Sequence, residues 1–462
     1  MINKLEIGLI ILIGVLIIKF ISSKGNYSLD ADGFLWGTEI YLTILDNPDD
    51  KKEIDAINNT LKTKNLKVRI DVAGAKPFSN IVYLPSKEKP EKVYDLDEFV
   101  KIFKENNWSM RPMFTLPLGD PVYVYTDSDI DDYVNYIDWF VTRYKNDANI
   151  KYIELMNTPI ILLMETGPYD SSKITLKQLL DTQNKVYNLI KNKYSDILIG
   201  THGFEYMFDE NTVVVESMVE MVEYFLDKSN GAKFDYWAFH GYGTYPSPVQ
   251  TPTYNKYSAI SGILEIRKKL DANGWQDRLI IDTEHVPSMS RPLSDDSDKA
   301  DAAATLQELI IKRTLNYNNT LVLSGITPLK IITRGDFGEH GCGSLKEDGS
   351  LSRTIKATAL LWSKLNEYNH ISHMSGEFNE PDQGWIEKFQ SGKKELYIFF
   401  KPILNPDIMD EEILNYDLDL TKLPTSITLT DINGNIESLT PSQTITLEAV
   451  NSPKFLEVGY GV

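Results

Sequence analysis

The sequence predicts a (β/α)8 TIM barrel with a small C-terminal β-sandwich domain and an N-terminal hydrophobic anchor. Three observations lead to this α/β architecture. Eight short apolar runs alternate with longer amphipathic stretches over residues 33–374, the pattern changes to a period of two residues over 375–462, and residues 5–21 are almost wholly apolar. Strands that alternate with helices form a parallel sheet, and eight such units close most simply into a barrel.

The N-terminal segment is apolar but short for a membrane span. Residues 9–18 are apolar apart from Gly14, with Lys4 before them and Lys19 after them. A span takes about 20 residues, which snorkelling lysine side chains can help to reach. No clear cleavage site follows. We therefore expect residues 1–24 to be an uncleaved signal anchor and residues 25–32 a tether. A cleaved signal peptide and a buried core helix are the alternatives. The anchor and the cleaved signal peptide would each place the folded part outside the cytoplasm.

The barrel strands are expected at the eight apolar runs. In chain order these are Phe34–Ile40, Leu66–Val72, Trp108–Thr115, Ile150–Met156, Asp196–Thr201, Phe234–His240, Arg278–Thr283 and Ile326–Thr333. The amphipathic stretches between them carry helix-start signals, including a capping box at Asp95–Glu98 and an opening at Thr175–Gln178. No glycine-rich nucleotide-binding turn follows the first strand, so the alternative of an open, doubly wound sheet lacks support.

The C-terminal region alternates apolar and polar residues as half-buried strands do. The predicted strands are Trp385–Phe389, Leu396–Phe400, Ser426–Thr430, Ile436–Leu439, Thr444–Leu447 and Phe455–Val458. Asn433-Gly434 is a hairpin signal between two of them. We expect this β-sandwich to shield apolar surface of the barrel, with independent sugar binding as the alternative.

Charge and cysteine content exclude several function classes. The net charge is −19, from 47 basic and 66 acidic residues, whereas a nucleic-acid partner requires a basic patch. The one cysteine, Cys342, permits neither an intrachain disulfide nor a cysteine-based metal site. The histidines lack ligand spacing, and His202 and His285 are expected to pack at the barrel rim. We therefore expect no metal and no cofactor.

Polar residues close most of the predicted barrel strands, where the chemistry of such barrels is carried out. They include Glu39, Arg69, Asn157, His240 with Tyr242, Glu284 and Asp336. Convergence of these groups on one rim is a more specific indication of an active site than any one of them alone. Glu154, farther back in its strand, is expected to point into the barrel or towards a helix and to have no catalytic role.

These residues resemble those of the clan A retaining glycoside hydrolases, most closely the family 39-type β-glycosidases, over about 340 residues. That family has Asn-Glu-Pro after strand four, and this chain has Asn157-Thr158-Pro159. The resemblance implies that Glu284, at the end of strand seven, is the nucleophile. It also implies that Arg69 pairs with Glu284, that His240 or Tyr242 touches the nucleophile or the sugar, and that Asn157 binds a sugar hydroxyl.

The main departure from the family is Thr158, which stands at the acid/base position and cannot act as a general acid at ordinary pH. Three interpretations stay open. Another carboxyl could reach in from a rim loop, with candidates Glu165, Glu205, Asp336 and Glu339; the substrates could carry good leaving groups; or the site could bind a glycan without cleaving it. A second departure is Thr333-Arg334 on strand eight, where the family has a tryptophan that stacks on sugar.

The sequence thus predicts a membrane-anchored, extracytoplasmic glycoside hydrolase-like protein that acts on a β-linked polysaccharide or surface glycan. Carbohydrate is the expected partner, the N-terminal segment contacts the membrane, and no nucleic acid is expected. Glu39 and Asp336 join the expected substrate-binding set. The alternative function is a catalytically inactive glycan-binding or cell-surface structural protein on a glycosidase scaffold.

Overall fold

A computed structural model gives the arrangement of the chain. It describes residues 35–39, 67–73, 81–84, 91–115, 126–157, 174–205, 213–241, 259–285, 295–318, 320–328, 351–376, 383–403 and 412–461. The predicted N-terminal anchor and tether, residues 1–32, lie outside this part of the chain. Among the described residues, no helix combines the length and the apolar character that crossing a membrane requires.

Eight parallel strands close into a barrel. In chain order they are β1 (Leu35–Glu39), β2 (Lys67–Ala73), β5 (Ser109–Thr115), β6 (Tyr152–Asn157), β7 (Leu198–Glu205), β8 (Tyr236–His240), β9 (Leu279–His285) and β12 (Gly325–Pro328). Each pairs with the next, and β12 pairs with β1 to complete the ring. Every one overlaps a predicted apolar run, so the sequence interpretation of the barrel strands is confirmed.

Helices follow the barrel strands and form the outer layer. Those in the described part of the chain are α1 (Leu96–Asn106), α2 (Asp127–Tyr144), α3 (Leu176–Lys193), α4 (Val213–Leu226), α5 (Ala259–Ala272), α6 (Asp295–Thr314) and α7 (Arg353–Leu365). Helix α3 begins at the predicted opening, where Thr175 and Gln178 form a capping box and satisfy each other's backbone N–H groups. Two hairpins, β3 (Ile81–Leu84) with β4 (Glu91–Asp95) and β10 (Asn316–Tyr317) with β11 (Thr320–Leu321), were not predicted.

Alternation along each strand divides the barrel's side chains between two environments. On β8, Trp237 and Phe239 pack in the large core between the strands and the helices, whereas Tyr236 and Ala238 belong to a separate buried cluster within the ring. The same division on β9 separates Ile280 from Ile281. Inward-facing positions near the strand ends are therefore available to polar groups that meet across the ring.

The C-terminal region consists of antiparallel sheets that resemble a β-sandwich. A six-stranded sheet contains β13 (Asn369–Ser375), β14 (Trp385–Ser391), β15 (Lys394–Phe400), β17 (Ser426–Thr430), β18 (Ile436–Leu439) and β20 (Lys454–Gly459). A second sheet pairs β16 (Leu414–Asp419) with β19 (Thr444–Ala449). The predicted turn between β17 and β18 is present, and Gly434 has a φ of +83°, which favours glycine.

The larger sheet is covered on both sides. On β15, Leu396, Ile398 and Phe400 join the barrel's core, whereas Tyr397 and Phe399 pack in a second cluster with residues of β16 and β19. The sheet therefore buries apolar surface of the barrel, which is the role that the sequence predicts for it.

Polar contacts also join the two regions. The buried amide of Gln307 on α6 donates to the carbonyl groups of Lys401 and Asn451 and accepts from the N–H of Ile403. Glu387 on β14 is 1% exposed and accepts hydrogen bonds from His370 at 2.9 Å and His373 at 2.8 Å.

The environment of Glu387 favours its ionised form. Burial acts to raise the pKa of this carboxyl, but the hydrogen bonds from the two histidines outweigh burial and hold the pKa below its ordinary value. The side chains of Thr314 at the end of α6 and Trp385 on β14 also donate to Glu387. This buried carboxylate therefore belongs to the junction between the barrel and the larger sheet.

Candidate functional site

The candidate site lies at the carboxyl ends of β8 and β9. His240 is the last residue of β8, and Glu284 is the next-to-last residue of β9. The two strands are in register as far as Phe239 and Asp282, after which a bulge pairs His240 with Glu284. Such bulges redirect side chains beside active sites. Here the Nδ1 atom of His240 lies 3.7 Å from Oε2 of Glu284.

Glu154 on β6 forms the other side of the His240 environment. Its Oε1 atom lies 3.2 Å from Nε2 of His240 and 3.0 Å from the hydroxyl of Thr283, which donates to it. With Glu154 ionised, its carboxylate only accepts hydrogen bonds, and His240 then donates to it through Nε2. The imidazole therefore stands between two carboxyl groups, with one ring nitrogen facing each.

Arg111 on β5 places a cation beside Glu154. Its Nε atom lies 4.0 Å from Oε2 of Glu154, and its Nη2 donates to the carbonyl oxygen of Thr283 at 3.2 Å. Both side chains of this pair are almost completely buried. A buried carboxylate needs such a partner, because burial of an uncompensated charge is costly.

Gly203 on β7 leaves room for these contacts. A Cβ atom at this position would lie 2.2 Å from Nε2 of His240 and 2.8 Å from Oε1 of Glu154. Both distances are shorter than non-bonded atoms tolerate, so any other residue would displace one of the two side chains. The missing side chain of Gly203 is therefore part of the geometry of the site.

A buried cation supports the turn that follows His240. Lys312 on α6 donates to the carbonyl oxygen of Gly241 at 2.8 Å and to Asp282 at 2.8 Å, and it lies 3.0 Å from Glu308. Asp282 in turn accepts from the N–H of Gly241 at 3.0 Å. Burial acts to lower the pKa of Lys312, but the two neighbouring carboxyls outweigh it and raise that pKa. Burial raises the pKa of Glu308.

Exposure distinguishes the two carboxyl groups next to His240. The side chain of Glu284 is 9% exposed, whereas the side chains of Glu154 and His240 are 0% exposed. Of the pair, only Glu284 retains any exposure. The arrangement therefore offers one slightly exposed carboxylate, next to an imidazole whose other nitrogen contacts a second, fully buried carboxylate.

The other predicted site residues lie only partly within the described part of the chain. Glu39 ends β1 and pairs with Arg69 on β2, and Asn157 ends β6, but the side chains of these three residues lie outside the described part. Thr158, Tyr242 and Asp336 also lie outside it, as do the rim candidates Glu165 and Glu339. Glu205 ends β7, and its side chain is not described. Of the predicted set, Glu284 and His240 are seen to lie together.

Sequence reasoning missed several residues of this site, namely Arg111, Gly203, Thr283, Asp282 and Lys312. It placed Glu154 correctly in the barrel interior or against a helix, but it did not predict the contact with His240. The alternation Tyr152, Glu154 on an otherwise apolar strand was an available signal, because an acidic residue facing inward requires a partner. His202 is completely buried, and its Nε2 lies 3.1 Å from the carbonyl oxygen of Leu179.

The described residues contain no group of three or more histidine, cysteine, aspartate or glutamate side chains arranged to hold a metal ion. The described part of the site consists of carboxylates, an imidazole and two buried cations, Arg111 and Lys312.

Comparison with known proteins reveals similarity in structure alone. No protein-family model matches the sequence, and no curated protein matches it. Solved structures do match. A family 39 glycoside hydrolase from the gut symbiont Bacteroides cellulosilyticus has a TM-score of 0.62 and 16% identity, over 92% of this chain and 80% of that one. A monomeric β-xylosidase from Caulobacter crescentus has a TM-score of 0.60 and 11% identity, over 94% and 97%.

A family 30 subfamily 8 xylanase from Clostridium acetobutylicum is similar as well, with a TM-score of 0.57 and 13% identity over 93% of this chain and 97% of that one. At these identities the likeness demonstrates a common fold. The chain has a glycoside hydrolase-like fold related to that of family 39 and family 30 enzymes of clan A. The match includes the C-terminal sheets, because it covers nearly the whole chain.

Proposed function

We propose that the protein is a retaining glycoside hydrolase that acts on a β-linked polysaccharide or surface glycan, with Glu284 as its nucleophile. The observation that carries this proposal is the position of Glu284. It is a carboxylate at the end of the seventh barrel strand that keeps slight exposure, 3.7 Å from His240, in a fold related to that of known glycosidases.

Glu284 would attack the anomeric carbon of the sugar and form a covalent glycosyl intermediate, which water then hydrolyses. Asn157 would hydrogen-bond to the 2-hydroxyl of that sugar. We assign Arg69 to charge pairing with Glu284, which would keep the carboxylate ionised. Tyr242, Asp336 and Glu39 complete the proposed substrate-binding set, because all of them belong to strand ends or to the loops that follow.

Thr158 restricts the substrates that we expect. General acid catalysis helps an ordinary sugar or alcohol to leave, and it typically contributes about 10²- to 10⁴-fold in rate. Glu154 does not take over this role directly, because its side chain is completely buried. We therefore expect faster turnover of substrates whose leaving groups need no proton, and slow turnover of natural glycosides unless a rim carboxyl such as Glu165 or Glu339 assists.

The decisive experiment combines a glycan panel, activated aryl β-glycosides and the substitution Glu284→Gln. We expect the wild-type protein to release product from at least one activated glycoside and Glu284→Gln to release none while still binding the sugar. Glu387→Gln is the control, since it removes a carboxylate that is held by His370 and His373 at the junction with the larger sheet. Equal activity in Glu284→Gln and the wild type would refute the nucleophile assignment. Binding without any turnover by the wild type would instead favour a non-catalytic glycan-binding protein.

We also propose that the protein works outside the cytoplasm, held at the membrane by residues 1–24. The apolar run from Leu9 to Ile18 and the flanking lysines support this proposal. A surface glycan is the substrate that fits such a location. If the segment is cleaved, the same site would act in a secreted protein.

A further inference from the structure

We infer that Glu154 is a positioning residue that keeps His240 charged and directed at Glu284. This inference rests on the proposed function of Glu284 and adds a residue that acts on the nucleophile through the imidazole. It follows from three contacts: Glu154 with His240 at 3.2 Å, His240 with Glu284 at 3.7 Å, and Thr283 with Glu154 at 3.0 Å.

The first step is the orientation of the ring. Nε2 of His240 donates to Glu154, so Nδ1 is the atom that faces Glu284. A neutral imidazole would then present a lone pair to the carboxylate, whereas an imidazolium presents an N–H. Only the imidazolium attracts the ionised Glu284.

The second step is the charge of Glu154. Its carboxylate stabilises a positive charge on His240, because opposite charges this close in a buried site interact strongly. The other described charged groups nearby are Arg111, which lies against Glu154, and the Lys312, Asp282 and Glu308 cluster behind Gly241. Arg111 partly offsets the field of Glu154, so the effect on His240 is expected at the lower end of the usual range.

The third step is rigidity. Nε2 of His240 occupies the space that the missing side chain of Gly203 leaves, where a Cβ would lie 2.2 Å away, and its contact with Glu154 at 3.2 Å holds the ring in this orientation. Thr283, next to Glu284 in the chain, holds the carboxylate of Glu154 from β9. The same network that orients the imidazole thus includes the strand that carries the nucleophile.

The test is Glu154→Gln, which keeps an oxygen that accepts from His240 but removes the charge. With ¹⁵N-labelled histidine, NMR would follow the imidazole of His240, identified by the loss of its signals in His240→Asn. We expect the titration midpoint of His240 to fall by about one pH unit, within the range of about one to three units that an adjacent opposite charge produces. Glu387→Gln removes a carboxylate that two other histidines hold, and it should leave the His240 midpoint unchanged.

A second readout links the network to the nucleophile. Activated 2-deoxy-2-fluoro-β-glycosides, taken as a panel, would label Glu284 in the wild-type protein without needing an acid. The labelling rate is measured as a function of pH. In Glu154→Gln the alkaline limb of this profile, where the rate falls, should move to lower pH by the same amount as the NMR midpoint. An unchanged midpoint and an unchanged limb in a folded Glu154→Gln protein would overturn the positioning role.

The two proposals fail in different ways. If no glycoside labels the wild type but the His240 midpoint moves in Glu154→Gln, the proposed function fails and the Glu154–His240 coupling stands. If labelling succeeds but neither measurement moves, the proposed function stands and the positioning role fails. Should Glu154→Gln not fold, Glu154→Asp provides the same test: it keeps the charge at a longer distance, so a smaller shift in the same direction is expected, and no shift counts against the role.

Discussion

The ammonium group of Lys312 lies 2.8 Å from the carboxylate of Asp282, and both side chains are completely buried. Asp282 is two residues before the proposed nucleophile, and Lys312 also holds the carbonyl oxygen of Gly241, directly after His240. One cation on a helix therefore fixes the ends of both strands that carry the site. This arrangement explains why a sheet of apolar strands contains an aspartate that faces the helices.

Replacement of this cation should destabilise the protein strongly. In Lys312→Met, Asp282 would stay buried without its main partner, and removal of one member of a buried pair typically costs about 3–5 kcal/mol. Urea unfolding measures the effect. The matched control is Lys104→Met, which breaks an ion pair of similar length, 2.9 Å, with Asp147 at the surface. That change should leave the free energy of unfolding almost unchanged, because solvent screens an exposed pair. Equal losses in the two variants would contradict the prediction.

Folding stability should also depend on pH through His202. Burial lowers the pKa of this histidine from 6.5 to about 4 in the folded protein. Between these values the unfolded chain binds a proton that the folded protein does not, so stability falls as the pH is lowered from 6.5 towards 4. Each unit of pKa difference corresponds to about 1.36 kcal/mol, so the free energy of unfolding lost over this pH range is a few kcal/mol.

The variant His202→Phe isolates this contribution. It loses the hydrogen bond to Leu179 and should be less stable than the wild type at pH 7, yet the difference should shrink as the pH falls to 5. Urea unfolding at several pH values from 7 to 5 tests this, since the other histidines titrate equally in both proteins. Parallel stability curves would show that His202 does not titrate abnormally.

Restoration of a carboxyl at the acid/base position should raise activity if the rest of the cleft is intact. We expect Thr158→Glu to increase hydrolysis of unactivated β-glycosides by about 10²- to 10⁴-fold, the usual contribution of general acid catalysis. Substrates with good leaving groups should gain much less. Thr158→Gln, of the same size but without an acidic proton, should show no gain, and Thr158→Glu combined with Glu284→Gln should be inactive.

The N-terminal segment should determine where the protein is found. When the full chain is expressed with its cellular export machinery, we expect it in the membrane fraction and resistant to extraction by high salt. A variant without residues 1–24 should be recovered in the soluble fraction. N-terminal sequencing of the membrane-bound form separates an uncleaved anchor from a processed signal peptide. Recovery of the full-length chain in the soluble fraction would contradict the anchor.

Strand positions were predictable because each barrel strand is a short apolar run between polar segments. The same reasoning placed Glu284 and His240 at strand ends. It could not predict the contact between Glu154 and His240, because 86 residues separate them and the pairing depends on the closure of the ring. It also missed β13, since Asn369, His370 and Ser372 lie on an edge strand where polar residues are tolerated on both faces. Strand β16 does alternate Leu414, Tyr416 and Leu418, a pattern typical of a half-buried strand.

The hydrogen bonds of Gln307 bear on how the chain is made. Helix α6 leaves the ribosome before the residues that cover it, since the partners of Gln307 at Lys401 and Asn451 come 94 and 144 residues later. Domains usually fold as units from the N-terminus during synthesis. Here the helix that carries Lys312 has an uncovered polar and apolar face until translation is almost finished. The proposed active site would therefore reach its final order late, after the last strands of the chain have been added.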